Sequence, residues 1–453
     1  MIKVEKPKAI KLKKVLGVAF GISIVVGGTI GAGILRTPGS VAALLPNKTL
    51  ILSCWLLTGL YILLSASSYA ELTTMLPKAG GAFNYIKRAF GSYAGFVSGW
   101  FDFILNSIAP AFFCVVLGEY SALLFPQLKN YSTIIALSFL SLLTLINLPG
   151  VKSGSTTQQI TSGLKIILLL ILITGCFFAH PIKNIALPVS QTTMLSGGLL
   201  IAFFKAMQLI LSTYDGWMSV SFFAEEDNNP GKNIPRSYFI GAFTIIFLYV
   251  FINAAILYVL PVSVVAQSSL AASSAAAVAF GSWSSVFINV VAIFVVVSIL
   301  NAYMMIPSRI LFGLSREGYF IRQGMLVNKG GTPYVSLLIC YVLSAFFIVT
   351  NSYEQLFALG AVMLTVVTGF SFASLLQLRR KEPDLNRPYK AWGYPYVTIL
   401  ALIVTLILFI GFAFSDYRSL LIVSVVFVLS YPFYKLIVKA NKDKTEDQEA
   451  FQQ

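Results

Sequence analysis

The residues best placed to do chemistry in this chain sit where hydrophobic segments interrupt themselves. Residues 15–45 are apolar and long enough to span a membrane, yet Gly27, Gly28, Gly31 and Gly33 crowd around Thr29, Ile30 and Ala32 at the centre. Glycine inside a helix costs about 1 kcal/mol relative to alanine, and in hydrocarbon an unwound backbone persists only where protein or a wet cavity surrounds it. A helix restarting at Gly31-Ala32-Gly33 presents free N–H groups with a partial positive charge of roughly half a unit, a natural seat for a carboxylate. The competing reading is a small-residue packing face, which suits Gly27 and Gly31, four residues apart, but not Gly28 and Gly33. A second interruption, Ser212-Thr213-Tyr214-Asp215-Gly216-Trp217, opens the second half of the chain. Carbonyls freed there would suit an ammonium group, so the two breaks together describe a receptor for a zwitterion such as an α-amino acid.

Two ionisable side chains accompany the breaks. Asp215 lies mid-segment, where an acid marks a functional site by default; it would contact substrate, couple to protons, or cap the broken backbone. Lys165, in Ser162-Gly163-Leu164-Lys165-Ile166, precedes an apolar run. A buried ammonium is costly unless paired and loses its proton readily, so Lys165 could replace a metal cation or carry a proton; snorkelling to the inner surface is the alternative. Lys205, Gln208, Ser212 and Asp215, spaced three, four and three, share one helical face and could line an access path. Lys205 lies about 15 Å from Asp215 along a helix and could equally snorkel outward. Asn301 and Tyr303 are further candidates for the pocket, as are Asp102 and Asn106; Asn253 and Asn289 read better as interhelical hydrogen-bond partners.

These residues need a membrane bundle to hold them. The chain is 57% hydrophobic and 11% charged, against about 25% charged in soluble domains. Twelve apolar stretches, each able to cross a ~30 Å hydrocarbon core, lie at about 15–45, 49–75, 94–125, 131–149, 157–179, 196–224, 237–261, 279–312, 334–351, 354–378, 396–414 and 418–438. The expected fold is therefore all-α and integral to the membrane, and no cleavable signal peptide is expected. With the N-terminus inside, 25 of the 32 Lys and Arg fall on the cytoplasmic side, four fall outside and three fall within spans. This is the positive-inside pattern, with both termini cytoplasmic. It accounts for the net charge of +15 through topology and anionic lipid rather than nucleic acid.

Spans one to five and six to ten each begin with a broken helix. An odd number of spans per half makes the second five enter the membrane in the opposite sense, the inverted-repeat arrangement of secondary transporters. The divisions expected are a basic tail at 1–14, a ten-helix core at 15–392, helices 11 and 12 at 393–438, and a tail at 439–453. Cys54, Cys114, Cys176 and Cys340 are scattered singly, and the lone His180 reads as a loop residue; neither a disulfide framework nor a metal site is expected. There is no GxSxG, Walker A or HExxH motif, so neither hydrolysis nor ATP-driven pumping is expected, and no cofactor.

The same residues carry a family resemblance. Gly28-Thr29-Ile30-Gly31-Ala32-Gly33-Ile34 and Pro77-Lys78-Ala79-Gly80-Gly81-Ala82-Phe83 resemble motifs of the amino acid–polyamine–organocation (APC) superfamily. Tyr214-Asp215-Gly216-Trp217, then Glu225-Glu226 and Asn229-Pro230 to Ile234-Pro235-Arg236, are similar to the sixth helix of its bacterial L-type amino acid transporter branch. Ser308-Arg309, Arg316-Glu317-Gly318 and Gly331-Thr332-Pro333 fit the region after its eighth helix, so the likeness covers roughly residues 15–400. The resemblance implies a LeuT-like five-plus-five inverted repeat with broken helices 1 and 6 and two extra C-terminal helices. It implies alternating access, with the substrate carboxylate on the backbone of Gly31 to Gly33 and the amino group on carbonyls near Tyr214 and Asp215. It also implies a lysine at Lys165 standing in for a sodium ion, hence exchange or proton symport in a bacterial inner membrane. Where relatives often place an aromatic gate, this chain has Ser212, which would move occlusion to Tyr214 or Trp217. A polyamine or organic cation carrier is the alternative, though it would leave the Gly31 to Gly33 terminus without a role. A sensor that binds an amino acid without moving it would need an output module, and the tail after Val438 is short.

Overall fold

A computed structural model of the chain describes residues 12–182, 198–268, 270–350, 353–415 and 417–450. The regular elements among the described residues are all helices, and the only β-type pairing among them is an isolated bridge between Leu16 and Asp227. The first half contains α1 (Val18–Thr29), α2 (Gly33–Leu44), α3 (Lys48–Met75), α4 (Phe83–Phe90), α5 (Ser92–Leu124), α6 (Ser132–Asn147) and α7 (Val151–Phe178). The second contains α8 (Gly198–Thr213), α9 (Pro230–Val259), α10 (Val262–Gln267), α11 (Ala271–Phe280), α12 (Ser284–Arg316), α13 (Tyr334–Thr350), α14 (Tyr353–Lys381), α15 (Tyr396–Ser415) and α16 (Tyr417–Ala450). Seven helices are long and apolar enough to cross a membrane, and α1 with α2 forms an eighth span bent by 48°. Four shorter apolar helices, 10–17 residues each, fall on the other expected stretches.

Local chemistry sets the helix ends. The Asn47 side chain accepts the backbone N–H of Leu50 at 2.9 Å and caps α3, satisfying one of the donors a helix start leaves free. Pro230 begins α9, where its missing N–H costs nothing. The second break differs from the expected half-helix. After Thr213 the chain runs through turns into a 3-10 turn, Ser219–Phe223, and no second α-segment forms before α9. The uncharged Ser- and Ala-rich loop is ordered into α10 and α11, which pack on α2.

The end of the bundle that the charge count assigns to the cytoplasm is tied shut. Of the expected basic tail, residues 1–11 lie outside the described residues. From Leu12 onward the chain is anchored, with Leu12 and Leu16 buried. The amides of Val15 and Leu16 donate to the Glu226 carbonyl, each at 3.0 Å, and Asn228 N–H donates to Leu16 O at 3.0 Å. Beneath this strap, Arg309 of α12 meets the Glu226 carboxylate through Nε at 2.9 Å and Nη2 at 3.3 Å, both side chains being fully buried. Arg316 pairs with Glu225, which also accepts Ala79 N–H at 2.9 Å, and Lys87 pairs with Glu317. On the far flank, buried Glu71 of α3 accepts both arms of Arg379 at 2.6–2.7 Å and the amide of Ala391 at 2.7 Å, pinning the stretch after α14 to the bundle.

Removing one partner of a buried ion pair strands the other charge, at a cost of about 3–5 kcal/mol. Glu226→Gln is expected to lower the thermal unfolding midpoint of the detergent-purified protein markedly, and Glu226→Gln with Arg309→Met to recover much of the loss. A double variant no more stable than the single one would show that the pair is not what holds this end.

Candidate functional site

The two interruptions meet backbone to backbone. Gly216 has φ +94°, a left-handed conformation, and a Cβ there would lie 2.1 Å from the Gly28 carbonyl oxygen. Only glycine answers both demands. The turn is held by Asp215, whose Oδ1 accepts Gly216 N–H at 2.7 Å, and by Ser219, whose hydroxyl donates to Gly216 O at 2.5 Å. Tyr249 of α9 sits behind the junction, its hydroxyl 2.9 Å from Thr213 O and 3.3 Å from Thr29 O. One phenol therefore serves the last carbonyls of both broken helices. Sequence reasoning missed it, since a tyrosine in an apolar span looks like core. Thr213 and Thr37 share a 2.8 Å hydroxyl contact that ties α8 to α2.

Lys165 faces the first break from α7. It is fully buried, with Nζ 3.0 Å from Gly27 O and 2.5 Å from Ile30 O. These are carbonyls that a helix end leaves without intrahelical partners, so the ammonium does not run to the inner surface. The rest of the α7 face is polar at the same spacing. The Gln158 amide donates to Ser162 Oγ at 3.1 Å, and Ser162 donates to Ser23 O of α1 at 2.9 Å. Gly27 permits this approach, because a Cβ there would lie 1.8 Å from the Gln158 amide nitrogen. Residues 158, 162 and 165 are four and three apart, a polar row legible in an apolar segment had Lys165 not been read alone.

On the other side of the second break lies a small cavity lined by Asp102, Leu105, Asn106, Asp215, Gly216, Met218, Ser219, Phe222, Tyr303 and Leu364. The space open to the centre of a water molecule is about 20 Å³, enough for about one water. This cavity as it stands is too small to hold an amino acid.

The expected residues divide accordingly. Asp215, Gly216 and Tyr303 line the cavity, as do Asp102 and Asn106. Thr29, Ile30, Gly31, Ala32 and Gly33 form the adjoining break without lining it. There α2 begins at Gly33 with no side chain capping its N-terminus. Tyr214 and Trp217 are buried in ring contacts, Tyr214 with Trp55 and Tyr249, Trp217 with Tyr69. The aromatic side chains at the cavity are Phe222 and Tyr303. Ser212 is exposed on α8, its hydroxyl turned back to Gln208 O at 3.1 Å, and is not brought to the cavity. Lys205 is likewise exposed. Asn301 is two residues from Tyr303, about 200° around a helix, and faces away. It donates to Gln158 Oε1 at 2.8 Å and accepts from Asn147 at 2.9 Å, extending the polar row of α7.

A model of the amino acid permease family matches residues 16–438. The serine/threonine exchanger SteT of Bacillus subtilis is 28% identical over 399 residues, covering 86% of this chain and 89% of that protein. The b(0,+)-type amino acid transporter 1 of Mus musculus is 27% identical, covering 95% and 89%. The human large neutral amino acids transporter small subunit 2 is 30% identical, covering 84% and 72%. With its two interruptions meeting backbone to backbone and its sequence matched almost end to end, the chain belongs to the amino acid permease family of the APC superfamily.

Proposed function

We propose that this protein moves amino acids across the bacterial plasma membrane by alternating access, without sodium, as an exchanger or a proton symporter. Twelve spans carry it, five plus five inverted and two more, with both termini cytoplasmic. The names of its relatives, a serine/threonine exchanger and transporters of b(0,+)-type and large neutral amino acids, support amino acids as the cargo class. The observation that carries the sodium-independent reading is the Lys165 ammonium on the carbonyls of Gly27 and Ile30. Such carbonyls are what a hard cation would need, and here a covalently attached cation already holds them. The substrate zwitterion is assigned to the junction beside it: carboxylate on the uncapped start of α2, ammonium on the carbonyl side of the second break near Tyr214 and Asp215. Opening needs a switch, and Lys165 is placed to provide one, since loss or gain of a proton there changes its hold on the α1 terminus.

The test is uptake of labelled amino acids into liposomes holding the purified protein, empty or preloaded, with and without an inward proton gradient. Uptake that requires preloading identifies an exchanger, and gradient-driven uptake into empty vesicles identifies a symporter. Sodium-driven uptake would overturn the reading. Competition by amino acid esters separates amino acids from polyamines, because a carrier that needs the carboxylate ignores the ester.

Two variants probe the junction. Gly216→Ala, which forces a Cβ against Gly28 O, is expected to abolish uptake, and a variant with normal uptake would remove the junction from the site. Lys165→Ala is expected to insert normally but to transport poorly or with an altered pH profile. An unchanged rate and profile would return Lys165 to a purely structural role.

A further inference from the structure

The central cavity has a charge problem that its own residues do not solve. Asp102, on α5, is 2% exposed, and its Oδ2 has no hydrogen-bond partner. Asn106, one turn on, spends its amide on the Asp102 backbone carbonyl at 2.7 Å and not on the carboxylate. Asp215, which lines the same cavity, engages one oxygen with the amide of Gly216. No lysine, arginine or histidine lines the cavity, and among the described residues neither acid takes part in an ion pair. Lys165 is held by carbonyls at the first break. A buried carboxylate oxygen without a partner is costly, so Asp102 Oδ2 at this cavity marks a place where positive charge is supplied from outside the protein.

We propose that Asp102 is a specificity residue that, with Asp215, receives the cationic end of a basic amino acid. The inference rests on the amino acid transport reading above. The zwitterion sits at the junction of the breaks, and its side chain points away from α1 towards α5. Leu105, Met218, Phe222 and Leu364 give the methylene stem apolar walls, and the ammonium or guanidinium group ends between the carboxylates. A neutral side chain of the same length fills the walls but leaves Asp102 Oδ2 unpaired. Discrimination therefore comes from the far end of the side chain, whereas the zwitterion alone is recognised by backbone.

The experiment compares side chains that differ by one amino group: lysine against norleucine and ornithine against norvaline, in the liposome assay with wild-type protein. A hydrogen bond to a charged group contributes about 1.5–3 kcal/mol, so the basic member of each pair is expected to compete at least about tenfold better. In Asp102→Asn the lysine-to-norleucine ratio is expected to collapse towards one, and in Asp102→Glu to survive in part. Thermal stabilisation of the purified proteins by lysine gives a second readout that needs no transport, strong for wild type and lost in Asp102→Asn. Wild-type protein that takes norleucine as well as lysine, or an Asp102→Asn variant with an unchanged ratio, overturns the proposal while leaving amino acid transport standing. Transport of putrescine with no amino acid moved would instead remove the transport reading, and this inference with it.

Discussion

A helix broken inside a membrane leaves carbonyls that water cannot reach, and most of the central architecture follows from satisfying them. Each unsatisfied backbone group in hydrocarbon costs several kcal/mol, so the break in α1 exists only because neighbouring helices bring donors to it. Lys165 comes from α7 and Tyr249 from α9. The Tyr249 hydroxyl also reaches the end of α8, so the two interruptions are coupled through one side chain. Gly216 lets their backbones touch. The same groups that stabilise the breaks thereby frame the proposed seat of the zwitterion.

The polar face of α7 shows how far this requirement reaches. Asn147, Asn301, Gln158 and Ser162 form a hydrogen-bonded series that ends one turn short of Lys165 and bonds to the Ser23 carbonyl along the way. A long flexible lysine needs a fixed helix behind it if its Nζ is to stay on two carbonyls. The series fixes α7 against α1 and α12. Interhelical hydrogen bonds in bilayers contribute modestly one by one, about 0.6 kcal/mol on average, so their value here lies in register more than in stability.

Much of this was legible in the sequence because it breaks local rules. Clustered glycines, an Asp-Gly pair and a lysine in apolar segments are all costly, and cost points to purpose. What could not be read was helical phase near a break. Ser212 and Thr213 are neighbours, but about 100° of rotation sends one to the surface and the other into the α2 contact. The pairing of Asn301 with Tyr303 failed for the same reason. Tyr249 gave no signal, because tyrosine in an apolar helix is ordinary and its role is created by two carbonyls far away in sequence. Asp102 was legible as a pocket candidate beside Asn106; that its Oδ2 lacks a partner is revealed only by the packing of α5. The half-helix expected after Gly216 gave way to turns because a left-handed residue ends the α-helical path.

The strap at the closed end has a mechanical consequence. The segment before α1 and the segment after the second break are joined there by three backbone hydrogen bonds between Val15, Leu16, Glu226 and Asn228. At the bundle centre the same two elements are joined again through Gly28 and Gly216. Elements in contact at two levels form one packed unit. The same segment is tied to α12 by the Glu226–Arg309 pair, a contact between fully desolvated charges. Under the proposed alternating access, opening this end would break that pair outright rather than stretch it.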